Sequence, residues 1–274
     1  MNSDRNPQAE QMGDESMARN LAHQADAIWP QEQRLFDRYD LPEAPHILDL
    51  GCGTGEITRR LAGRHPRAHL AGIDILEGNL AIARRDGAAF ADRIVYEAGD
   101  AFALHHPDAS FDLVVCRHMS QAVPDFPLVL AEITRVLKPG GWLHLLTEDY
   151  AMLHAPADGR DPESFNRNAI GFLGSIGCDG RIGRHSPALL ETAGYREIAM
   201  DYVVVDTLRV ARATFGGIMR AWRDGYAGPL SEASGRPLAE VTADFDAMIA
   251  AIETPPRYVV WQVPVVSARK PSAR

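Results

Sequence analysis

Five short runs rich in Val, Ile and Leu, at residues 46–51, 69–75, 94–100, 111–118 and 141–149, alternate with segments of helical periodicity such as ITRRLAGR, NLAIARRDGAAFADR and FPLVLAEITRVLK. A strand followed by a helix re-enters its sheet in the same direction, so this alternation predicts a mostly parallel sheet with helices on both faces. The stretch LKPGGW, residues 137–142, closes the last of these helices, because Pro139 cannot continue it and the two glycines allow reversal into the next strand.

Around this centre the pattern is looser. Residues 1–16 are polar and read as a disordered tail, and residues 17–40 read as two short helices broken at Pro30. The core is expected over 41–207 and 257–270, with a loop and helix insertion at about 150–185. Within that insertion ESFNRNAIGFLG has helical spacing, and Ser186 with Pro187 signals the N-cap and first turn of a further helix. Residues 196–207 and 257–270 read as late strands. The intervening 208–256 hold two or three helices and form too long a connection for a hairpin, so a helical cap over the open edge of the sheet is expected.

A chain of 274 residues suits one domain with such embellishments. Its net charge of -9 would repel a long polyanion, which argues against nucleic acid as a partner. No apolar run is long enough to span a membrane, and the polar N-terminus has no secretory h-region. Cys52, Cys116 and Cys178 are odd in number and lack paired metal spacing, so neither a disulfide framework nor a metal site is expected. A cytoplasmic protein, monomer or homodimer, is the expectation.

The run HILDLGCGTGE, residues 46–56, ends in Asp49 and then in glycines at 51, 53 and 55. The dinucleotide fingerprint asks for a glycine where this sequence has Glu56, so Asp49 and Glu56 would flank a pyrophosphate. Like charges at that separation cost on the order of kcal/mol even at an effective dielectric of about 20. A ligand with an ammonium reverses the sign. The methionyl part of S-adenosylmethionine has a cationic amine, a sulfonium and a carboxylate that seeks backbone N–H groups. Asp74 closes the second strand, where a carboxylate accepts ribose hydroxyls, a feature equally suited to NAD. Asp100 closes the third, where it can either accept the adenine amino hydrogens or cap the following turn.

Taken together, DLGCGTG, GIDI, AGDA, FDLVVCRH and VLKPGG resemble the successive motifs of the class I S-adenosylmethionine-dependent methyltransferases, over residues 40–150. The resemblance implies a Rossmann-like seven-stranded, mostly parallel α/β sheet ending in an antiparallel hairpin. It implies S-adenosyl-L-methionine as cofactor, leaving as S-adenosyl-L-homocysteine. By position it puts Asp49, Gly51, Cys52 and Gly53 around the methionyl group, Asp74 and Ile75 at the ribose, and Asp100 and Ala101 at the adenine. Arg117 and His118 should lie near the methionyl end and the substrate. CRHMSQAVP replaces the Pro-Pro-aromatic signature found after the fourth strand in amide and amino-base methyltransferases, which departs from the nucleic-acid N-methylating pattern.

The expected activity is therefore methyl transfer to an O, N or C atom of a small organic molecule. The alternatives are a same-fold protein that catalyses something other than methylation, or a methyltransferase of macromolecules. His118, at a strand end on the open edge of the sheet, is the candidate catalytic residue. A neutral imidazole there can take a proton from a hydroxyl or phenol, or the ring can simply bind backbone at the strand end. Glu148, Asp149, Tyr150 and His154 follow the fifth strand at the same edge. Arg184 and His185 are candidates for an anion at a helix N-terminus, and Trp222, Arg223 and Tyr226 read as neighbours within the cap.

Overall fold

The computed structural model describes residues 6–8, 15–156 and 159–272. Residues 1–5 and 9–14 of the expected tail lie outside the described residues. At its described positions the tail is not loose: Gln8 is buried, and the first helix, α1 (Glu15–Glu32), has begun by Ser16, which is also buried. This helix runs through Pro30 as one element, where the sequence suggested two. The pyrrolidine ring falls in the last turn, where only the Asp26 carbonyl loses a helical partner before the helix ends. A 3₁₀ turn, Leu35–Arg38, leads into the sheet.

The core elements follow in alternation: β1 (His46–Leu50), α2 (Glu56–Arg64), β2 (His69–Asp74), α3 (Glu77–Asp86), β3 (Ile94–Ala98), β4 (Phe111–Arg117), α4 (Phe126–Val136) and β5 (Leu137–Leu146). Then come β6 (Leu153–His154), α5 (Ser164–Ser175), α6 (Ile182–Thr192), β7 (Arg196–Asp206), α7 (Arg212–Ser234), α8 (Leu238–Glu253) and β8 (Val260–Arg269). The sheet has eight strands in the order β3-β2-β1-β4-β5-β8-β6, with β7 also paired to β8. It exceeds the expected seven by β6, a two-residue strand on the Val260–Trp261 end of β8. The first five strands pair in parallel, and β8 is antiparallel to β5, β6 and β7.

Alternation along the central strands sends side chains to two apolar layers. Ile47, Leu113 and Val115 pack with Leu61 of α2, Leu80 of α3 and Trp29 of α1. Leu48, Leu50, Val114 and Cys116 pack with Val129 and Ile133 of α4 and Leu190 of α6. A third cluster lies under the cap, where Phe215, Trp222 and Phe245 meet Val263 and Trp261 of β8. The cap is two helices. Gly217 of α7 sits where a Cβ would come within 2.8 Å of His23 Nε2, and at Gly225 a Cβ would be 3.3 Å from Met17 Sδ. These glycines let α7 lie close along α1, so their role in the structure is packing.

The helix expected to begin at Ser186 begins at Ile182 instead. Asp179 accepts the Arg181 amide at 2.8 Å on its side chain and the Ile182 amide at 3.2 Å on its carbonyl, and so starts the helix earlier. Ser186 is internal, donating to the Ile182 carbonyl at 2.7 Å.

Candidate active site

In the strand order the chain leaves β1 for β2 on one side, and returns to place β4 on the other. The crevice at the carboxyl ends of β1 and β4 is the point where doubly wound sheets bind ligands. A cavity open to solvent lies there. The loop after β1 forms one wall. Gly51, Gly53 and Gly55 have φ of +74°, +53° and +72°, a left-handed backbone that side chains disfavour. Space is also short: a Cβ on Gly53 would lie 2.6 Å from Leu21 of α1, and one on Gly55 2.5 Å from the Tyr96 hydroxyl.

Four amides of this loop already donate within the protein. Gly51 and Cys52 donate to the Ile73 carbonyl at 2.8 and 2.9 Å, Gly55 to the Cys52 carbonyl at 2.9 Å, and Gly53 to Asp74 Oδ2 at 2.8 Å. A phosphate cradle needs its amides free for the ligand, so this loop is poorly built for one. Glu56 takes no part in the wall. Its carboxylate pairs with Arg59 and with Arg60 at 2.9 Å on its own helix, whereas Asp74 lines the cavity.

The sequence-expected residues divide by placement. Gly51, Gly53, Asp74, Ile75, Ala101, Arg117 and His118 line the cavity. Asp74 Oδ1 accepts the Leu76 amide at 2.9 Å, so each carboxylate oxygen holds one amide and keeps capacity for one more donor. Burial pushes its pKa up against the amides of Leu76, Gly53 and Ile75. Asp49, Cys52 and Asp100 stand outside the lining. Asp49 is buried behind the loop, with the Thr58 hydroxyl donating to Oδ2 at 2.5 Å; burial raises it to about 6, opposed by Thr58 and the Arg117 charge. Cys52 faces the sheet near Gly72, and burial holds its thiol well above the ordinary range, which leaves it inert. Asp100 Oδ1 caps its own turn, accepting the Phe102 amide at 3.0 Å.

The other wall comes from β4, β5 and α1. Arg117 donates from Nε to Glu32 Oε1 at 2.8 Å, while its buried Nη2 has no partner among the described residues. Glu32 also accepts from His144 Nε2 at 3.0 Å, and Tyr39 sits 2.6 Å from the other ring nitrogen. Burial raises Glu32, but Arg117 and His144 outweigh it and bring the group down to about 2.

His118 has a left-handed backbone, φ +51°, and its amide donates to the Leu146 carbonyl at 2.9 Å. Its Nδ1 donates to Glu148 Oε1 at 2.7 Å, and Trp261 Nε1 donates to Glu148 Oε2 at 3.2 Å. With a carboxylate as acceptor, the proton resides on Nδ1, so Nε2 of the neutral ring is an acceptor. That Nε2 is buried with no partner among the described residues, in a residue that lines the cavity.

Several lining residues were not foreseen. Met17, Asn20, Leu21 and Gln24 form one face of α1, and their spacing was the available signal. Amide atoms of Asn6, Gln8, Asn20 and Gln121 without a partner among the described residues add polar groups around the same space. Trp222 and Tyr226 also line it, whereas Arg223 pairs at the surface with Asp224 and Asp246. Arg184 is held by both oxygens of the buried Asp149, and His185 lies 2.6 Å from Asp179, so neither waits for an anion.

Residues 48–145 match the family described as a methyltransferase domain. The demethylmenaquinone methyltransferase of Deinococcus radiodurans is 41% identical over 100 residues, 36% of this chain and 42% of the relative. The chain spans about half the length of the curated relatives it matches, between 38% and 57%. Phosphoethanolamine N-methyltransferase 2 of Haemonchus contortus, solved with S-adenosyl-L-methionine, superposes with a TM-score of 0.62 at 18% identity over 99% of this chain and 61% of that one. The [4+2]-cyclase SpnF gives 0.57 at 22% identity over 88% and 80%. At these identities the likeness is one of fold.

Proposed function

We propose that this chain, a member of the class I S-adenosylmethionine-dependent methyltransferases, transfers a methyl group to a hydroxyl-bearing small organic molecule, with His118 as the base. The observation that carries the choice of a hydroxyl is the ordered pair of His118 and Glu148. A base held by a buried carboxylate, with its second nitrogen unpartnered among the described residues in a cavity residue, serves an acceptor that must lose a proton. A neutral amine would need no such base at the moment of transfer.

The residues present fit the cofactor. Asp74 would hold the ribose hydroxyls on its remaining lone pairs beside Ile75, and Ala101 would flank the adenine. Arg117 Nη2, buried and without a partner among the described residues, suits the methionyl carboxylate. Asp49 supplies negative charge behind the loop for the ammonium. S-adenosylmethionine, when bound, supplies an electrophilic methyl on a sulfonium.

The protein's part is then alignment and proton management. His118 Nε2 takes the hydroxyl proton, Glu148 fixes the ring and offsets the imidazolium charge, and Trp261 holds Glu148 in turn. Tyr150 and Trp222 wall the same space and limit water. Kinetics on a hydroxyl acceptor test the assignment. Turnover in the His118→Ala variant should fall while cofactor affinity holds, and unchanged turnover would remove His118 from the chemistry.

A further inference from the structure

We infer that Glu97, His105 and His106, at the outer end of β3 and in the loop that follows it, form a binding site for a borderline divalent cation of the zinc type. The inference goes beyond the methyl-transfer proposal and does not rest on it.

The three side chains converge on one point. His105 Nε2 lies 2.8 Å from Glu97 Oε2, and His106 Nε2 lies 3.4 Å from the same oxygen. The two rings have centroids 4.5 Å apart and planes 31° from parallel, and the three ligand atoms all fall within 4.8 Å of one another. Tetrahedral zinc, with bonds of about 2.0–2.2 Å to imidazole nitrogen and carboxylate oxygen, places its ligands about 3.3 Å apart. The set is close to that geometry, and His105, with its side chain 54% exposed, is free to rotate into it.

A surface ion pair would account for one histidine and not for the second. His106 Nε2 is buried with no hydrogen-bond partner among the described residues, although the carboxylate is near it. Buried polar atoms in that state are uncommon, and a cation set between the two rings and the carboxylate satisfies all three groups at once. Imidazole with carboxylate suits zinc, whereas magnesium prefers oxygen ligands. The cysteine spacing argued against a thiolate site, and this set contains no thiolate.

The loop is held in place by the protein itself. Arg135 of α4 donates to the Leu104 and His106 carbonyls, each at 2.8 Å, and Glu132 accepts the Leu104 amide at 2.8 Å. The arginine charge, which would oppose a cation, is paired with Glu132 and Asp108. None of the three ligands lines the main cavity, but Gly99 and Ala101, in the chain between them, do. The ion's part is therefore structural: it ties the chain beyond Ala101 back to β3.

The test uses the full chain without an affinity tag, stripped by a chelator and titrated with zinc chloride in calorimetry at a pH of about 7.5, where imidazole is neutral. One equivalent should bind saturably, and magnesium chloride should not bind. His105→Ala and Glu97→Gln, both outside the proposed catalytic and cofactor residues, should weaken zinc binding at least about tenfold and leave the metal-free chain folded by circular dichroism. Zinc should also raise the denaturant midpoint of the unaltered chain and not that of His105→Ala. The absence of saturable zinc binding in the unaltered chain overturns the site, as does unchanged zinc affinity in a folded variant or equal binding of magnesium. Anomalous scattering from a zinc-soaked crystal of the unaltered chain locates the ion independently of variants. It should lie about 2.0–2.2 Å from both Nε2 atoms and from the Glu97 carboxylate, and an ion held only by other residues overturns the proposal.

Discussion

The Arg117 guanidinium at the end of β4 and the Glu32 carboxylate of α1 meet at 2.8 Å, Nε to Oε1, with the arginine side chain 8% and the glutamate 0% exposed. A helix outside the central sheet thus sets the orientation of a cavity residue. Removing one member of a buried pair strands the other, at about 3–5 kcal/mol. Glu32→Ala should lose that much in denaturant unfolding and also weaken cofactor binding by releasing Arg117. Because Glu32 is brought down to about 2 when folded, against an ordinary 4.5, its contribution is full above about 4.5 and is lost as pH falls from there toward 2. That acid limb should be missing from the variant's stability profile.

Asp74 carries a double load, since its oxygens hold the Gly53 and Leu76 amides as well as facing the cavity. Asp74→Ala should weaken S-adenosylmethionine binding at least about tenfold, with a stability loss of about 1–3 kcal/mol from the freed amides. Calorimetry together with unfolding separates the two, and an unchanged dissociation constant would remove Asp74 from the ribose.

Asp49 gives a pH dependence of definite sign. Its pKa near 6 in the free protein means the carboxyl is largely protonated below that value. A cationic ligand prefers the ionised form, so affinity for S-adenosylmethionine should rise with pH up to about 6 and then level, by at most about tenfold per unit. Asp49→Asn should bind more weakly and lose this rise. Titrations between pH 5 and 7.5, at about half-unit steps, decide it, and an identical slope in the variant would assign the effect to another group.

For His118, alanine should lower turnover about a hundred- to ten-thousand-fold on a hydroxyl acceptor, with little effect on cofactor binding. Glu148→Gln should fall in the same direction by about tenfold or more, since an amide can donate to Nδ1 and reverse the ring's tautomer. A rise in the Michaelis constant with turnover preserved in both variants would make the pair a positioning device only.

Much of the core was legible because alternating period-2 and period-3.6 patterns leave few arrangements, and because glycines at positive φ punctuate the loop after β1. His118 was legible by its position at the end of β4. Glu148 stood out only as one of four polar residues after β5; its contact with His118 spans 30 residues and depends on register between neighbouring strands. Glu32 was hidden more deeply, 85 residues from Arg117, on a helix that sequence reading divided at Pro30. For Asp100 the same carboxylate can serve a ligand or cap a turn, and Oδ1 caps the turn while the Oδ2 atom is not engaged there.

Incubating the full chain with methyl-deuterated S-adenosylmethionine and a small-molecule extract, followed by mass spectrometry, tests the transfer itself. The expected result is a small organic molecule gaining one labelled methyl on oxygen, with the gain lowered at least about a hundredfold in His118→Ala. Label found only in protein or nucleic acid, or no label anywhere despite bound cofactor, would contradict it.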